Sequence, residues 1–179
     1  MNPILALDGH DGSGKTTLAQ RLAEKLGGCY VRPYCAPHGP ELLTAAEAQQ
    51  YERLTATART ARQEAIEAAQ AAPGQPLIFD RLWITLFTLL PKEHRKSWLF
   101  RPPTAICWAD WETTEARLKH RRETDPHSAA RHQHYIQQYA EFAKIYDCFL
   151  VDTSACEEDE ALERLRVWAE HLLTKQETS

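Results

Sequence analysis

The sequence predicts an α/β fold in which a five-stranded parallel sheet is covered by helices on both faces. Three observations predict it. Short apolar runs alternate with longer helix-favouring segments along the whole chain, as in a parallel sheet with crossover helices. The first apolar run leads straight into a glycine-rich turn and then a helix. With 43% hydrophobic and 26% charged side chains, 179 residues suffice for one domain (1–179) whose core needs no disulfide or structural metal.

The elements follow in order. Pro3 to Asp8 (PILALD) reads as a buried parallel strand. Lys15 to Leu26 carries Leu18, Leu22 and Leu26 at helical spacing and stops at Gly27-Gly28. Cys29 to Arg32 is a second strand, ended by Pro33. Glu41 to Ala72 is long and Ala-rich; it predicts two helices with a break near Leu54–Thr57, closed by Pro73-Gly74. Leu77 to Asp80 (LIFD) and Thr104 to Ala109 (TAICWA) are further buried strands, and Trp83 between them reads as a core residue. Glu112 to Arg122 and Ala129 to Tyr146 are helical, separated by Thr124-Asp125-Pro126-His127. Cys148 to Val151 (CFLV) is the last strand, and Glu157 to Leu173 a final amphipathic helix. Ligands of such folds bind beyond the carboxyl ends of the strands, where the motifs below fall.

Charge and composition limit the partners. Net charge is −4, so the field of the whole chain does not draw nucleic acid; phosphate affinity must come from local Lys and Arg clusters. No stretch approaches the roughly 20 apolar residues of a membrane span, and no signal-peptide pattern opens the chain. Cys29, Cys35, Cys107, Cys148 and Cys156 form no CxxC pair and read as reduced, mostly buried thiols, so the expected location is the cytoplasm. His120, His127, His132 and His134 cluster in sequence. His132 and His134 face different sides of a helix, however, and there is no HExxH, so a zinc site is not expected.

Gly9-His10-Asp11-Gly12-Ser13-Gly14-Lys15-Thr16 fits G-x4-G-K-[ST] in the strand–loop–helix context the motif requires. Its glycines let the backbone wrap an anion, so that several N–H groups and the helix N-terminus converge on phosphate. Lys15 brings charge to the β- and γ-phosphates, and Thr16 a hydroxyl to Mg²⁺. The loop by itself indicates nucleoside triphosphate binding and leaves kinase, GTPase, motor and inert binder open.

Asp80-Arg81 closes the LIFD strand. Asp80 suits Mg²⁺ or an acceptor group, and Arg81 offers a planar fork for phosphate oxygens, although a capping Asp or a surface ion pair also explains such a dipeptide. A basic run follows the fourth strand: Arg117, Lys119, His120, Arg121, Arg122, then Arg131. Arg117 and Arg121 share a helical face, where like charges repel by about a few tenths of a kcal/mol unless an anion meets them. With the turn at Thr124–His127, residues 117–131 read as a lid. A solvated charged face is the plainer reading of any one of these residues.

Together these residues resemble the thymidylate kinase family of P-loop kinases. GHDGSGKTT resembles its phosphate loop, including Asp11 and the doubled Thr16-Thr17, and LIFDR resembles its strand-end Asp-Arg motif. Arg32-Pro33 is similar to an Arg-Glu-Pro element without the Glu. Ala58-Arg59 lies about where the family places an arginine on the acceptor phosphate. Arg117 to Tyr139 resembles its lid and following helix, and Val151-Asp152-Thr153-Ser154 falls where its adenine-contacting loop begins. The chain departs at Thr55, where the family stacks a phenylalanine on thymine. It departs again at Thr85 and Leu89-Leu90, which replace a Ser and a Tyr-Gln, and at Pro91 to Arg101 (PKEHRKSWLFR), a basic and aromatic stretch without a counterpart.

The resemblance implies a three-layer P-loop kinase with a short lid. ATP would lie on Gly9, Asp11, Gly12, Ser13, Gly14, Lys15, Thr16, Thr17 and Thr153, with Mg²⁺ at Thr16 and Asp80. It implies that Asp11 touches the acceptor sugar hydroxyl and that Arg32, Arg59 and Arg81 hold the acceptor monophosphate. Gly12 occupies the position of a phosphate-loop arginine, so Arg117, Arg121 and Arg122 in the lid are the implied catalytic arginines, alongside Lys15 and Asp80. The expected reaction is ATP·Mg²⁺ plus a nucleoside or deoxynucleoside monophosphate, giving ADP and a diphosphate. The family's dimers make a homodimer through Glu41–Ala72 an expectation. The alternatives are a kinase for a hydroxyl acceptor (a nucleoside, a modified base in DNA, a small metabolite), with Asp11 or Asp80 as base and segment 92–101 as a polymer contact, and a nucleotide-binding regulator without turnover.

Overall fold

The structure, a computed structural model, describes residues 2–120 and 128–177. Five strands, β1 (Ile4–Asp8), β2 (Cys29–Val31), β3 (Leu77–Asp80), β4 (Thr104–Trp108) and β5 (Phe149–Asp152), form one parallel sheet in the order β2-β3-β1-β4-β5. β1 is central, with Leu7 level with Asp80 of β3 and Ala105 of β4. Its apolar run is buried on both faces from Leu5 onward, as a strand flanked by parallel neighbours requires. β2 and β3 lie on one side of β1 and β4 and β5 on the other. The strand order therefore reverses beside the loop that follows β1, where such sheets open a ligand crevice.

The period-2 alternation of the strands divides the core into two layers. Leu5, Leu7, Ile78, Ala105, Cys107 and Val151 face α1 (Lys15–Lys25) and α7 (Glu158–Glu177), which meet them with Leu18, Leu22, Leu165 and Ala169. Ala6, Val31, Phe79 and Ile106 face the other way. There α2 (His38–Glu47), α3 (Tyr51–Ala69), α4 (Trp83–Leu89) and α6 (Ala129–Ile145) bring Leu42, Leu54, Leu86 and Phe142. Truncating a fully buried side chain such as Leu7 to Ala costs about 2–5 kcal/mol. α5 (Trp111–His120) leaves the carboxyl edge of β4 and lies on the loop after β1, with Thr114 against Gly12.

Several boundaries differ from the sequence expectation. The two helices of the Ala-rich region part at 48–50 rather than at Leu54–Thr57. Gln49 takes a left-handed conformation (φ 56°), and Gln50 N–H returns to the Ala45 carbonyl at 2.8 Å. Leu54, Thr55, Ala58 and Ala61 form the buried stripe of α3, and the Thr55 hydroxyl bonds to the Tyr51 carbonyl, so the Thr residues do not interrupt the helix. α4 and a 3₁₀ turn at Lys92–Ser97 were not expected. Of the five thiols only Cys107 is buried; Cys29, Cys148 and Cys156 are half-buried and Cys35 is exposed. No helix among the described residues is long and apolar enough to cross a membrane.

Candidate active site

The loop between β1 and α1 needs glycine for space at its start and for backbone conformation at its end. A Cβ on Gly9 would lie 2.3 Å from the Cys107 carbonyl oxygen, and Gly14 turns the chain into α1 at φ 79°. His10 is buried and ties the loop to β4: its Nδ1 bonds to the Asp11 carbonyl at 2.8 Å, and its Nε2 accepts from Ala109 N–H at 3.2 Å. That pair of contacts sets the tautomer with the proton on Nδ1. Burial pushes the imidazole down to about 4, so it is neutral. Lys15 is also buried. Its Nζ donates to the His10 carbonyl at 3.2 Å and lies 3.8 Å from Asp11. Burial first, then the Arg81 charge, lowers it to about 8.

Asp80 is fully buried at the end of β3. Its Oδ2 accepts from Thr16 Oγ1 and from the Tyr30 hydroxyl, both at 2.8 Å, with Arg32 Nε 3.8 Å away. Its Oδ1 is buried without a hydrogen-bond partner. A carboxylate oxygen left bare beside a threonine hydroxyl and a phosphate loop fits a divalent cation carried with a nucleotide. No group of three or more His, Cys, Asp or Glu side chains among the described residues makes a protein-only metal site.

Arg81 follows in a left-handed conformation (φ 71°), fixed by its N–H on the Leu7 carbonyl at 2.9 Å. This turn aims the guanidinium back at the loop, where Nη1 donates to the Gly9 carbonyl at 3.3 Å and Nη2 to the Asp11 carboxylate. Burial raises the Asp11 carboxyl, but Arg81 and Lys15 together outweigh it and hold the group well below the usual range. Asp11 and Arg81 form one end of a cavity of about 340 Å³. Leu42, Leu43 and Leu89 make its apolar walls; Tyr34, Thr85, Arg131, His132 and Tyr139 add polar groups.

On the other side of the loop, a second cavity of about 410 Å³ is lined by Gly14, Thr17, Arg117, His120, Thr153 and Cys156. Arg117 is locked there. Its Nη1 donates to the Gly12 carbonyl at 3.1 Å and to Thr153 Oγ1 at 2.9 Å, and its Nη2 to the Thr153 carbonyl at 2.8 Å. Thr153 in turn bonds to the Ser13 carbonyl at 3.0 Å. The phosphate loop thus sits between two cavities, each with an arginine on a loop carbonyl.

A profile for an AAA domain matches residues 4–145, from β1 to the end of α6. The chain belongs to that family. No curated protein sequence matches this AAA domain significantly. Its fold is that of a P-loop kinase. Deoxyadenosine kinase from M. mycoides with bound dCTP superposes with a TM-score of 0.62 at 16% identity, over 94% of this chain and 99% of that one. The same enzyme with bound dATP gives 0.63 at 15%, over 94% and 100%. With products dCMP and a flexible dCDP it gives 0.61 at 16%, over 94% and 99%. This likeness shows the three-layer fold expected from the sequence.

The fold gathers Asp11, Lys15, Thr16, Asp80 and Arg81 around one loop, with Arg32 beside Asp80 and Arg117 and Thr153 behind. It does not gather Arg59, whose Nη2 donates to the Ser97 carbonyl and which is absent from the cavity wall. Arg121 and Arg122 lie outside the described residues, as does part of the expected lid. In the 91–101 stretch Trp98 and Phe100 turn toward the core, while Lys92, Glu93, His94, Lys96, Ser97, Leu99 and Arg101 stay exposed. Trp98 is 1% exposed, and Arg95 and Arg101 lie over Phe87, Phe142, Trp83 and Tyr146. Sequence reasoning did not single out His10, which ties down the loop, or Tyr34 and Tyr139, which line the cavity. Only His10 carried a signal, as a loop residue of the phosphate motif.

Proposed function

We propose that this protein is an ATP-dependent kinase that transfers the γ-phosphoryl group of ATP to a nucleoside or deoxynucleoside monophosphate. The cavity behind Arg117 takes the donor base, and the cavity behind Arg81 takes the acceptor. The state of Asp11 carries this reading. It is the sole carboxylate among the described residues that line the acceptor-side cavity, and Arg81 and Lys15 hold it ionised. A carboxylate held so low is a weak general base. A hydroxyl acceptor must lose a proton as the new P–O bond forms. A phosphate monoester is already an anion and needs only alignment and charge neutralisation.

The residues divide the work accordingly. An acceptor phosphate oxygen attacks the γ-phosphorus, the bond to the β-phosphate oxygen breaks, and its electron pair leaves with ADP. Lys15 and the loop N–H groups hold the triphosphate. Arg81 and Arg131 bring positive charge to the acceptor side, and Arg117 fixes the loop carbonyls from the donor side. Thr16 and Asp80 are the groups suited to hold magnesium carried with ATP, which would supply charge neutralisation to the phosphates.

A hydroxyl acceptor is the second reading. It is favoured by the engagement of Arg32 at Asp80 and Arg59 at Ser97, which leaves fewer cations for an acceptor phosphate. The deoxyadenosine kinase of similar fold offers a parallel for it. ADP release from Mg²⁺·ATP, screened against nucleoside monophosphates, free nucleosides and DNA, separates the two. Turnover with a monophosphate supports the first; turnover confined to nucleosides or DNA replaces it with the second.

A further inference from the structure

Beneath the acceptor-side cavity a chain of hydrogen bonds runs from β1 to α6. Asp8 is fully buried at the end of β1. Its Oδ1 accepts from Thr85 N–H at 3.0 Å and from Thr85 Oγ1 at 2.5 Å, and Leu82 N–H reaches both carboxylate oxygens at 3.1 and 3.2 Å. Thr85 Oγ1 also lies 2.8 Å from the Tyr139 hydroxyl. Thr85 and Tyr139 both line the cavity, beside Asp11 and Arg81.

The polarity of this chain is fixed. Asp8 Oδ1 is met by two N–H and O–H donors of Thr85 and one N–H of Leu82, so it serves as acceptor throughout. A threonine hydroxyl has one proton. Thr85 gives its proton to Asp8, so the bond to Tyr139 must be donated by the tyrosine. Tyr139 has then used its own proton, and burial keeps the phenol from ionising. Its oxygen has only lone pairs left to offer. Asp11, the carboxylate at the same end of the cavity, likewise offers only lone pairs.

We propose that Tyr139 is a specificity-determining residue that accepts a hydrogen bond from a hydroxyl of the acceptor's sugar, and that Asp8 and Thr85 are the positioning residues that fix its polarity. This rests on reading the Asp11–Arg81 cavity as the acceptor site. The substrate class narrows to acceptors carrying a free ring hydroxyl, and analogues without it leave the Tyr139 oxygen unpaired. A neutral hydrogen bond of this kind is worth about three- to tenfold in affinity. Loss of Thr85 frees the Tyr139 proton to point into the cavity, which admits an acceptor atom where a donor was required.

The test measures binding of the four common deoxynucleoside monophosphates and their 3′-deoxy counterparts by calorimetry, on the full chain with Mg²⁺·ADP present. ADP release with ATP is followed on the same probes. The expected result is that at least one hydroxylated probe binds about three- to tenfold more tightly than its 3′-deoxy partner. Tyr139→Phe removes that difference while leaving the affinity for Mg²⁺·ADP unchanged. Thr85→Val, which frees the Tyr139 proton, is expected to accept a 3′-fluoro monophosphate that the unaltered protein binds weakly, and Thr85→Ser to bind it weakly again, a reversal of polarity that lost packing alone would not give. Equal binding of both series by the unaltered protein, unchanged discrimination in Tyr139→Phe, or no binding of any hydroxylated probe overturns the proposal. Discriminating binding without ADP release leaves it standing and overturns the monophosphate kinase reading instead.

Discussion

Thr16 donates its hydroxyl to Asp80 at 2.8 Å, joining the first turn of α1 to the tip of β3. The bond uses one oxygen of Asp80 and leaves the other buried and bare. A fully buried carboxylate is tolerated when it is paired, and the pairing here is incomplete on the side of the phosphate loop. Asp80→Asn keeps the shape and removes the charge. The variant is expected to need about ten- to a hundredfold more Mg²⁺ for half-maximal turnover, read from a metal titration at saturating ATP. An unchanged Mg²⁺ requirement would detach Asp80 from the metal.

Lys15 connects burial to pH dependence. Its ammonium is lowered to about 8 because burial disfavours the charge and Arg81 repels it. Triphosphate favours the charged form, so ATP binding takes up a proton when the pH is near 8 or above, and affinity falls as pH rises through that value. Calorimetry in buffers of different ionisation enthalpy should show proton uptake at pH 8.5 and little at pH 6.5. Lys15→Ala is expected to lower kcat at least about 100-fold; near-normal turnover would remove Lys15 from the reaction.

His10 governs acid stability. Its folded-state value, about 4 against 6.5 when free, means that the unfolded chain binds more protons between those limits. Stability therefore rises with pH from 4 to 6.5 and is flat in this respect above it, with roughly 3 kcal/mol across the window as the upper limit. Urea melts at pH 4.5 and 7.5 should show this slope in the natural chain and a shallower one in His10→Gln. Equal slopes would mean that His10 is already charged in the fold.

Arg117 divides donor from acceptor. It holds the Gly12 carbonyl and both oxygens of Thr153, and it lines the cavity opposite the one at Arg81. Arg117→Ala should raise the KM for ATP by about tenfold and the acceptor KM by much less. Arg81→Ala should do the reverse. A shared effect in both variants would mean that the arginines act on the loop as a whole.

The sequence made legible what is local. The phosphate loop, β1 and α1 are consecutive, so motif, strand and helix could be read together, and the five strands announced themselves as short apolar runs. The break at Gln49 was not legible, because a left-handed Gln between two Ala-rich helices leaves no compositional mark, whereas Thr55 and Thr57 looked like one. α4 was hidden for a related reason: Trp83 to Leu89 makes only about two turns, and one polar pair, Thr85 and Thr88, in a short apolar run is too little to mark a helical period. The chain from Asp8 through Thr85 to Tyr139 joins residues 77 and 54 positions apart, and its polarity follows from single protons rather than from residue types. Arg59 shows the opposite failure, a sequence position that matched while its guanidinium turned to Ser97.

The most direct measurement is the chemical identity of the product, read by ³¹P NMR after incubation with Mg²⁺·ATP and a mixture of nucleosides and nucleoside monophosphates. A monophosphate kinase gives paired resonances of a new P–O–P linkage, a nucleoside diphosphate formed in step with ADP. A new phosphate monoester on a nucleoside, with every monophosphate untouched, would contradict that activity and give the cavity beside Asp11 and Arg81 to a hydroxyl acceptor.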